Sequence, residues 1–434
     1  MSDELTVQGV RITDVVRQHG TPLYLYDGAE LERRIDDLHR LMPERLEFFY
    51  SLKANPNVSI AALLHRRGAR AEVSSMAELL TALRAGVAPA DILFLGPGKS
   101  RAEIAACLDH QIFALICESF GELEMVDELA AERGLTASVA LRVNPEFAVK
   151  GSGLTMGGKP RQFGIDESQL LADPGMAKRY PNLRLMGVQV YLGTRILSED
   201  AVVENTTRIL ALAERLAEEL GFPLELTDIG GGLGVAYFDG ERDLDLEALA
   251  ARLTPVVAGF ADRHPRTRLV MELGRYLTAT AGTYVTAVRY VKSSMGERFA
   301  VADGGTNHHM AAVGIGSFVR RNFPIRLLNR MSEPPTGGWN IAGPLCTPND
   351  SLGKNVLLPD VQPGDLIGVM RSGAYGPSAS PVNFLSHGHP AEVLVHDGRP
   401  YLIRRRDLPE DLIGPQPLHD FGPARQATTK GRTT

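Results

Sequence analysis

The sequence predicts an α/β fold, in which an eight-stranded parallel (β/α)8 barrel is followed by a smaller β-domain. Between residues 45 and 275, eight short apolar runs alternate with longer segments of helical periodicity, as expected for parallel strands joined by crossover helices. After about residue 276 the apolar runs are short and β-type, and Gly and Pro separate them. The number of runs alone leaves a doubly wound open sheet as the alternative.

Each predicted barrel strand is one of these apolar runs. They are FFYSLKA (48–54), AEVSS (71–75), ILFLG (92–96), IFALI (112–116), VALRVN (139–144), VQVYLG (188–193), LTDIGGG (226–232) and LVMELG (269–274). Among the helical segments between them, TTRILALAERLAEELG (206–221) repeats apolar residues at i, i+3/i+4 and i+7 and ends in Gly.

The same pattern predicts the domain organisation. We expect residues 29–276 to form the barrel and residues 277–410 to form the β-domain. The N-terminal segment 1–28 contains the strand-like run TPLYLYD, and we expect it to join the β-domain. The polar, Pro/Gly-rich segment 411–434 is predicted to be a flexible tail.

Composition excludes several classes of protein. The formal net charge of −6 over 434 residues argues against nucleic acid or an anionic membrane as the main partner. Cys107, Cys117 and Cys346 have no C-x-x-C spacing, so neither a disulfide framework nor a structural zinc site is expected. Neither a secretory signal nor an uncharged apolar run of 18 residues is visible. These features predict a soluble, cytoplasmic protein.

Two glycine-rich segments fail as nucleotide-binding motifs. In LGPGKS (95–100), Leu93 occupies the first Gly position that a phosphate loop requires. In GGGLG (230–234), Val235 occupies the last Gly position of the dinucleotide fingerprint. Neither segment predicts a nucleotide site.

Lys53 stands in FFYSLKANPN, a run that otherwise predicts a buried strand. Lysine is rarely buried unless it is paired or takes part in chemistry. Desolvation lowers the pKa of a lysine, and the neutral amine can then form a Schiff base with a carbonyl compound. The alternative is a lysine whose stem is buried at a strand end while its amine reaches water.

The residues around Lys53 resemble the lysine motif of the fold-type III pyridoxal-phosphate (PLP) decarboxylases, which include the diaminopimelate, ornithine and arginine decarboxylases. Further motifs of this family follow in order over residues 21 to about 405. They are AEVSSMAEL (71–79), LRVNP (141–145), QFGI (162–165), YLGT (191–194), DIGGGLG (228–234), ELGRYL (272–277), ADGG (302–305), GPLCTPND (343–350) and SGAYG (372–376). The resemblance implies an alanine racemase-like fold, a barrel that holds PLP plus a β-domain, and a homodimer with shared active sites.

The resemblance also implies roles for individual residues. Lys53 matches the lysine that carries PLP, and Glu272 matches the carboxylate that faces its pyridine nitrogen and favours decarboxylation. Tyr191 replaces the usual stacking His, and Thr194 replaces the Ser that follows it. The remaining positions expected near the cofactor or its phosphate are Glu72, Arg142, Gly230, Gly231, Gly232, Gly274, Arg275 and Tyr375.

Cys346 matches the cysteine that, supplied by the partner subunit, protonates the substrate carbon after CO₂ leaves. The diamine and diaminopimelate enzymes place an acidic residue after this cysteine to receive the distal amine of the substrate, whereas this chain has Thr347. Asp303 and Asp350 could compensate. The substrate-binding candidates are Arg275, Asp303, Arg320, Arg321, Thr347 and Tyr375. His308 and His309 lack a third ligand at useful spacing, so no metal site is expected.

The forms ELGRYL, DGGTNHHM, GPLCTPND and SGAYGPSASPVNFLSHGHPAEVLV are most similar to one subgroup of the family. This subgroup contains the butirosin-type aminoacyl-[acyl-carrier-protein] decarboxylase and the exosortase-associated PLP decarboxylases. The resemblance implies α-decarboxylation of a glutamyl-like unit on an acyl-carrier protein, in specialised metabolism. The alternatives are a decarboxylase of free diaminopimelate, ornithine, lysine or arginine, a racemase that uses the same cofactor, and a catalytically silent PLP-binding regulator.

Overall fold

The computed structural model describes residues 3–147, 154–155, 157–313 and 321–422. In chain order, the strands of at least three residues are β1 (Leu23–Asp27), β2 (Leu46–Ser51), β3 (Arg70–Val73), β4 (Ile92–Phe94), β5 (Ala114–Cys117), β6 (Ala137–Asn144), β7 (Leu183–Gln189), β8 (Leu226–Gly231), β9 (Arg268–Leu273), β10 (Gly282–Ser294), β11 (Glu297–Ala302), β12 (Ile325–Leu327), β13 (Gly337–Ala342), β14 (Ser351–Leu358), β15 (Leu366–Val369), β16 (Ala391–His396) and β17 (Arg399–Arg404).

The helices lie mainly between the strands of the first half of the chain. They are α1 (Ile12–His19), α2 (Gly28–Leu41), α3 (Val58–Arg66), α4 (Met76–Arg84), α5 (Arg101–His110), α6 (Phe120–Glu132), α7 (Glu167–Leu171), α8 (Glu199–Leu220), α9 (Leu246–Arg263), α10 (Arg275–Thr278) and α11 (Pro409–Ile413). None of the helices in the described ranges is both long enough and apolar enough to cross a membrane.

Strands β2 to β9 form a closed parallel barrel. Each strand pairs with the next one along the chain, and β9 pairs with β2 through the register Glu272↔Phe49. Each of these strands overlaps one of the eight predicted runs. The closure confirms the predicted barrel, and the alternative of an open, doubly wound sheet is wrong.

Short polar side chains start the barrel helices. The residue before each of seven helices accepts a hydrogen bond from a backbone N–H of the first turn, which satisfies a donor that the helix itself cannot pair. For helices α2 to α6, α8 and α9 these residues are Asp27, Asn57, Ser75, Ser100, Ser119, Ser198 and Asp245.

The second sheet is built around the long strand β10. Strand β10 pairs antiparallel with β11, β15 and β1, and β1 pairs parallel with β16 through Leu23↔Ala391. The N-terminal strand β1 is therefore a strand of this second sheet. The segment 411–434, predicted as a tail, begins within α11, and its residues 423–434 lie outside the described residues.

The interior of the barrel changes character along its axis. Its lower part is a buried apolar cluster of Phe49, Leu93, Leu95, Ala114, Ile116, Ala140, Met186, Leu226 and Val270. Alternate residues of a strand share a face, so the residue two positions further on points to the same side. On four strands that next residue is polar, namely Ser51, Arg142, Asp228 and Glu272. The carboxyl ends of the strands therefore bring polar groups together above an apolar floor.

Candidate active site at the barrel mouth

Lys53 lies just beyond the end of strand β2. The sequence predicted a strand through residue 54, but pairing with β9 and β3 ends at Tyr50 and Ser51, and Leu52–Ala54 form a 3₁₀ turn. Gly274 packs against this turn so closely that a Cβ on it would lie 2.7 Å from the Cβ of Ala54. The turn brings the Lys53 amine to the open end of the barrel.

The amine of Lys53 has one ionic partner in the structure. Its Nζ donates to Oε2 of Glu72 at 2.9 Å, and the other oxygen of Glu72 accepts from Ser74 Oγ at 2.9 Å. Glu72 is fully buried, whereas 38% of the Lys53 side chain is exposed. Burial acts to lower the pKa of Lys53, but the charges of Glu72 and Glu272 outweigh it and raise that pKa. The expected lowering of the pKa by desolvation alone is therefore wrong for this site.

A second buried carboxylate, Glu272, lies near the end of β9, the strand that pairs with β2. Gln189 Nε2 donates to Glu272 Oε1 at 3.0 Å, and both side chains are buried. Burial, together with the charge of Glu72, raises the pKa of Glu272. Asp228 lies beside it on β8, and its Oδ1 accepts from the N–H of Gly230 at 2.8 Å.

The glycine triplet after β8 makes a backbone cradle. Gly230 has φ +64°, and a Cβ on it would lie 2.5 Å from the carbonyl oxygen of Val190. A Cβ on Gly231 would lie 1.6 Å from the carbonyl oxygen of Glu272. Only glycine fits at these two positions, so the loop offers backbone N–H groups without side chains in the way.

Arg275 follows β9 and lies among aromatic rings beside this cradle. Its Nη1 donates to Tyr237 Oη at 3.1 Å, and its guanidinium carbon lies 4.6 Å from the centre of the Tyr375 ring. Its Nε is buried without a hydrogen-bond partner. An arginine with a spare buried donor beside a glycine loop is suited to binding an anion.

Tyr191 faces the lysine, in the position where the family usually has His. The centre of its ring lies 5.9 Å from Lys53 Nζ. Burial, with a contribution from Tyr375, raises the pKa of Tyr191 to about 12, so the hydroxyl is neutral at physiological pH. Thr194, three residues on, acts to lower the pKa of Tyr191 and lies in a two-residue strand, Gly193–Thr194.

Arg142 has a buried carboxylate partner of its own. Its Nη1 donates to Glu118 Oε1 at 2.9 Å, and both residues are buried. The guanidinium also lies 4.6 Å from the centre of the Phe163 ring. Arg142 is therefore paired and packed in the interior of the barrel. Its contact with the cofactor remains a prediction.

Several candidates lie in or near the β-domain rather than in the barrel. Cys346 is exposed on the loop between β13 and β14, and Thr347 follows it. Asp303 accepts hydrogen bonds from Thr21, Thr286 and the N–H of Ala287. These contacts hold Asp303 in the sheet. They do not favour the substrate-binding role predicted for it.

Of the two arginine candidates for substrate binding, only Arg321 lies among the described residues. Arg321 is exposed, its Nη1 lies 3.8 Å from Glu241 Oε1, and its guanidinium carbon lies 5.5 Å from the Phe238 ring centre. Arg320 lies outside the described residues.

His308 and His309 are buried in the β-domain. His309 Nε2 pairs with Ser372 Oγ at 2.7 Å, and His308 Nε2 pairs with the carbonyl oxygen of Gly388 at 3.0 Å. Burial lowers the pKa of His308 to about 4 and that of His309 to about 3, so both rings are neutral. Within the described ranges, no three His, Cys, Asp or Glu side chains are gathered as a metal site.

Four supporting residues were not singled out from the sequence. They are the residues that hold Glu272, Arg142 and Arg275, namely Gln189, Asp228, Glu118 and Tyr237. Asp228 could have been suspected, because an acid two residues after an inward-facing apolar position points into the barrel. The same rule applies to Glu118, which stands two residues after the inward-facing Ile116. Tyr237 contacts Arg275 only through the fold, and no spacing in the sequence reveals that contact.

The groups at the barrel mouth fit PLP. The exposed part of Lys53 offers an amine for the aldehyde, and Glu272 offers an anion for the ring nitrogen. The glycine cradle and the spare donor of Arg275 suit a phosphate. These residues come from the ends of different strands around one opening, as in other barrel enzymes.

Comparison with known proteins agrees with this set of groups. Residues 28–279 match the family model described as "Pyridoxal-dependent decarboxylase, pyridoxal binding domain". The chain is 39% identical over 420 residues to the L-glutamyl-[BtrI acyl-carrier protein] decarboxylase of Niallia circulans, covering 95% of this chain and 97% of that one. It is 34% identical over 397 residues to the diaminopimelate decarboxylase of Neisseria meningitidis, covering 91% and 94%.

Solved structures show the same architecture. The diaminopimelate decarboxylase of M. jannaschii in co-complex with L-lysine has a TM-score of 0.87 at 27% identity, with 96% of each chain covered. The Helicobacter pylori enzyme complexed with L-lysine has a TM-score of 0.83 at 29% identity, with 93% and 98% covered. These findings confirm the predicted family, fold and cofactor. The chain belongs to the PLP-dependent decarboxylases of fold type III and is a carboxy-lyase that uses pyridoxal phosphate.

Proposed function

We propose that this decarboxylase removes the α-carboxylate of an L-aminoacyl unit, glutamyl-like, that is tethered to an acyl-carrier protein. The observation that carries the proposal is the 39% identity to a decarboxylase of such a substrate, over 95% of this chain. The identity to the diaminopimelate decarboxylases reported above is lower. Free diaminopimelate, lysine, ornithine and arginine are the competing substrates.

The loop that carries Cys346 supports this choice. A free diamino acid needs a carboxylate for its distal ammonium group, and losing such a charge-assisted hydrogen bond costs about 1.5–3 kcal/mol. Thr347 stands where the diamine enzymes have that acid. Asp350 does not replace it, because Oδ1 accepts from the N–H of Thr306 at 2.8 Å and Oδ2 from the N–H of Leu345 at 2.7 Å. An uncharged distal end, such as a thioester, suits this site better.

Each residue of the barrel mouth has a separate task in the proposed reaction. Bound PLP supplies an electron sink for the electron pair that remains on the α-carbon when CO₂ leaves. Lys53, held by Glu72, anchors the cofactor, and Glu272 places a negative charge at the ring nitrogen. The glycine loop after β8 and the guanidinium of Arg275 bind the phosphate. The thiol of Cys346 then donates a proton to the α-carbon.

The position of Cys346 supports a homodimer. The thiol is exposed on the β-domain, while Lys53 lies at the mouth of the barrel. We propose that each Cys346 completes the active site of the partner subunit. The described cysteines are unpaired, which fits a reducing compartment, and we place the enzyme in the cytoplasm.

The test compares tethered and free substrates under one assay. Purified enzyme with PLP is incubated with γ-glutamyl-loaded acyl-carrier protein and, separately, with each free diamino acid. Mass spectrometry then follows loss of CO₂. We expect turnover of the loaded carrier and weak turnover of the free acids. Brisk turnover of a free diamino acid contradicts the carrier-bound substrate. The variant Cys346→Ala tests the proton donor, and its activity should return when it is mixed with a Lys53→Ala variant that supplies an intact thiol.

A further inference from the structure

A buried polar triad supports Glu272 inside the barrel. Gln189, Asp228 and Glu272 lie on the adjacent strands β7, β8 and β9, and the register places Gln189 directly opposite Asp228. Each side chain is at most 2% exposed. The family resemblance assigns a role to Glu272 alone, so two fully buried polar groups beside it need an explanation.

The hydrogen bonds of the triad leave one oxygen of each carboxylate without a donor. Gln189 donates to Glu272 Oε1, and the N–H of Gly230 donates to Asp228 Oδ1. Glu272 Oε2 and Asp228 Oδ2 are buried, and no amide, amine or hydroxyl donor pairs with them. The two carboxylates lie on neighbouring strands, and each one shifts the pKa of the other. Two buried carboxylate oxygens that lack donors can satisfy each other only through a shared proton, and a pair that shares one proton carries a single negative charge.

The surroundings decide which carboxylate holds the proton. Lys53 attracts the negative charge toward Glu272, and the amide of Gln189 donates to that carboxylate. Burial and the charge of Glu272 raise the pKa of Asp228 well above its usual range, although the N–H of Gly230 acts to lower it. Glu272 stands on β9, which pairs with β2, the strand that leads into Lys53, whereas Asp228 stands one strand further away. The surroundings therefore favour the proton on Asp228 and the negative charge on Glu272.

We propose that Asp228 is a positioning residue: as a neutral carboxylic acid it donates a hydrogen bond to Glu272 and leaves the negative charge of the pair on Glu272. Its other oxygen is held by the N–H of Gly230, the first residue of the glycine cradle. Asp228 thereby joins the two ends of the cofactor site, the anion for the ring nitrogen and the loop for the phosphate. The inference rests on the role proposed for Glu272.

Two near-isosteric variants test the hydrogen-bond donor and the negative charge independently. In Asp228→Asn the amide still donates to Glu272, and its oxygen still accepts from Gly230. In Glu272→Gln the negative charge is removed. Asp228→Ala removes the donor, and Thr227→Val is the control on the same strand, because the buried Thr227 hydroxyl has no hydrogen-bond partner.

Cofactor binding is the first measurement. The dissociation constant for PLP and the visible absorption spectrum of the bound cofactor are recorded for each variant. We expect Asp228→Asn to bind within about 3-fold of wild type, and Asp228→Ala and Glu272→Gln to bind about 10- to 100-fold more weakly, the usual effect of losing a hydrogen bond to a charged group. Thr227→Val should be unchanged. Weak binding by Asp228→Asn together with normal binding by Glu272→Gln overturns the inference.

Infrared spectroscopy of the cofactor-free protein supplies an independent measurement. A neutral carboxylic acid has a C=O stretching band distinct from that of a carboxylate. Other carboxyl groups contribute to this band, because burial raises the pKa of Glu78 to about 7, so each variant is compared with wild type as a difference spectrum. At neutral pH we expect a loss of band intensity in Asp228→Asn and no loss in Glu272→Gln. Full intensity in Asp228→Asn together with a loss in Glu272→Gln overturns the assignment. If wild type binds no PLP, the proposed function fails, while the infrared result still decides the place of the proton.

Discussion

Two lysine–glutamate pairs of the same barrel differ in how exposed the lysine is and in how many acceptors it contacts. Lys53 at the mouth donates to Glu72 at 2.9 Å, and 38% of its side chain is exposed. Lys99, in the loop between β4 and α5, is 1% exposed and donates to Glu122 Oε1 at 2.5 Å and to the carbonyl oxygens of Gly96 at 2.8 Å and Ile116 at 2.6 Å.

The difference lies in how many donors of the ammonium group are used. An ammonium group has three N–H donors, and Lys99 satisfies all three with protein acceptors. Within the described residues Lys53 has one protein acceptor, and its amine has access to the open end of the barrel. Burial of a lysine therefore does not identify a reactive amine. Access to the barrel mouth predicts that Lys53 is the reactive lysine, whereas the contacts of Lys99 hold the βα loops together.

The largest effect is expected from Lys53→Ala. The variant loses the amine that anchors the cofactor, so decarboxylation should fall to background and the visible absorption of bound PLP should vanish. The apoprotein should also unfold at a lower temperature, because the fully buried carboxylate of Glu72 loses its ionic partner, so activity is compared at a temperature where both proteins are folded. Steady-state assays, absorption spectra and calorimetry measure these quantities. Residual activity near the wild-type level would show that decarboxylation does not require the Lys53 amine.

Lys99→Met should lower the free energy of unfolding and leave the catalytic groups in place. Removing the ammonium group leaves the carboxylate of Glu122 buried and unpaired, which typically costs about 3–5 kcal/mol of unfolding free energy. Denaturant titration measures the loss, and the folded fraction should still bind PLP.

The double variant Lys99→Met/Glu122→Leu is the matched control for that loss. Replacing both members of a buried pair with apolar residues is often neutral, so the double variant should recover most of the stability. A double variant as unstable as Lys99→Met would mean that the two carbonyl contacts, and not the ion pair, determine the role of Lys99.

This contrast also shows how far the sequence alone could lead. The eight apolar runs predicted the parallel strands, because the alternation of strand and helix is a local pattern. Closure of the barrel depends on the pairing of β9 with β2, which the number of runs left open. Lys53 was singled out because family motifs surround it. Lys99 stood in a segment that resembles a phosphate loop, and its burial depends on Ile116 and Glu122, which reach it only through the fold. Asp228 was visible in a quoted motif, but its pairing with Glu272 depends on the register of two strands.

Glu72→Gln should change the reactivity of Lys53 by a smaller amount. The negative charge of Glu72 is the largest influence that raises the pKa of Lys53, so its removal lets burial lower that pKa. A larger fraction of the amine is then neutral at a given pH, and an amine-directed reagent should label Lys53 of the apoprotein several-fold faster near pH 8. Peptide mass spectrometry measures the labelling, with Lys99 as the unreactive internal control. Unchanged labelling of Lys53 would show that Glu72 does not control the amine.

The smallest expected effect is a difference in how the two glutamates link stability to pH. Burial raises the pKa of Glu72, but Lys53 and hydrogen bonds outweigh it, so the folded-state pKa is lowered. Glu72 therefore contributes stability above its unfolded-state pKa and loses it as pH falls. For Glu122, burial dominates over Lys99 and the folded-state pKa is raised, so its carboxylate costs stability as pH rises through the acidic range. A tenfold change in an acid dissociation constant between the unfolded and folded states corresponds to about 1.4 kcal/mol of stability.

Denaturant titrations of apoprotein between about pH 4 and pH 7 should detect these opposite slopes. Relative to wild type, Glu72→Gln should lose more stability at pH 7 than at pH 4, because the stabilising ionisation is gone. Glu122→Gln should lose less at pH 7 than at pH 4, because the carboxylate that it removes is the one that burial penalises. Equal slopes for the two variants would mean that the pairs are electrostatically alike. The distinction between a reactive and a structural lysine would then rest on access to the barrel mouth alone.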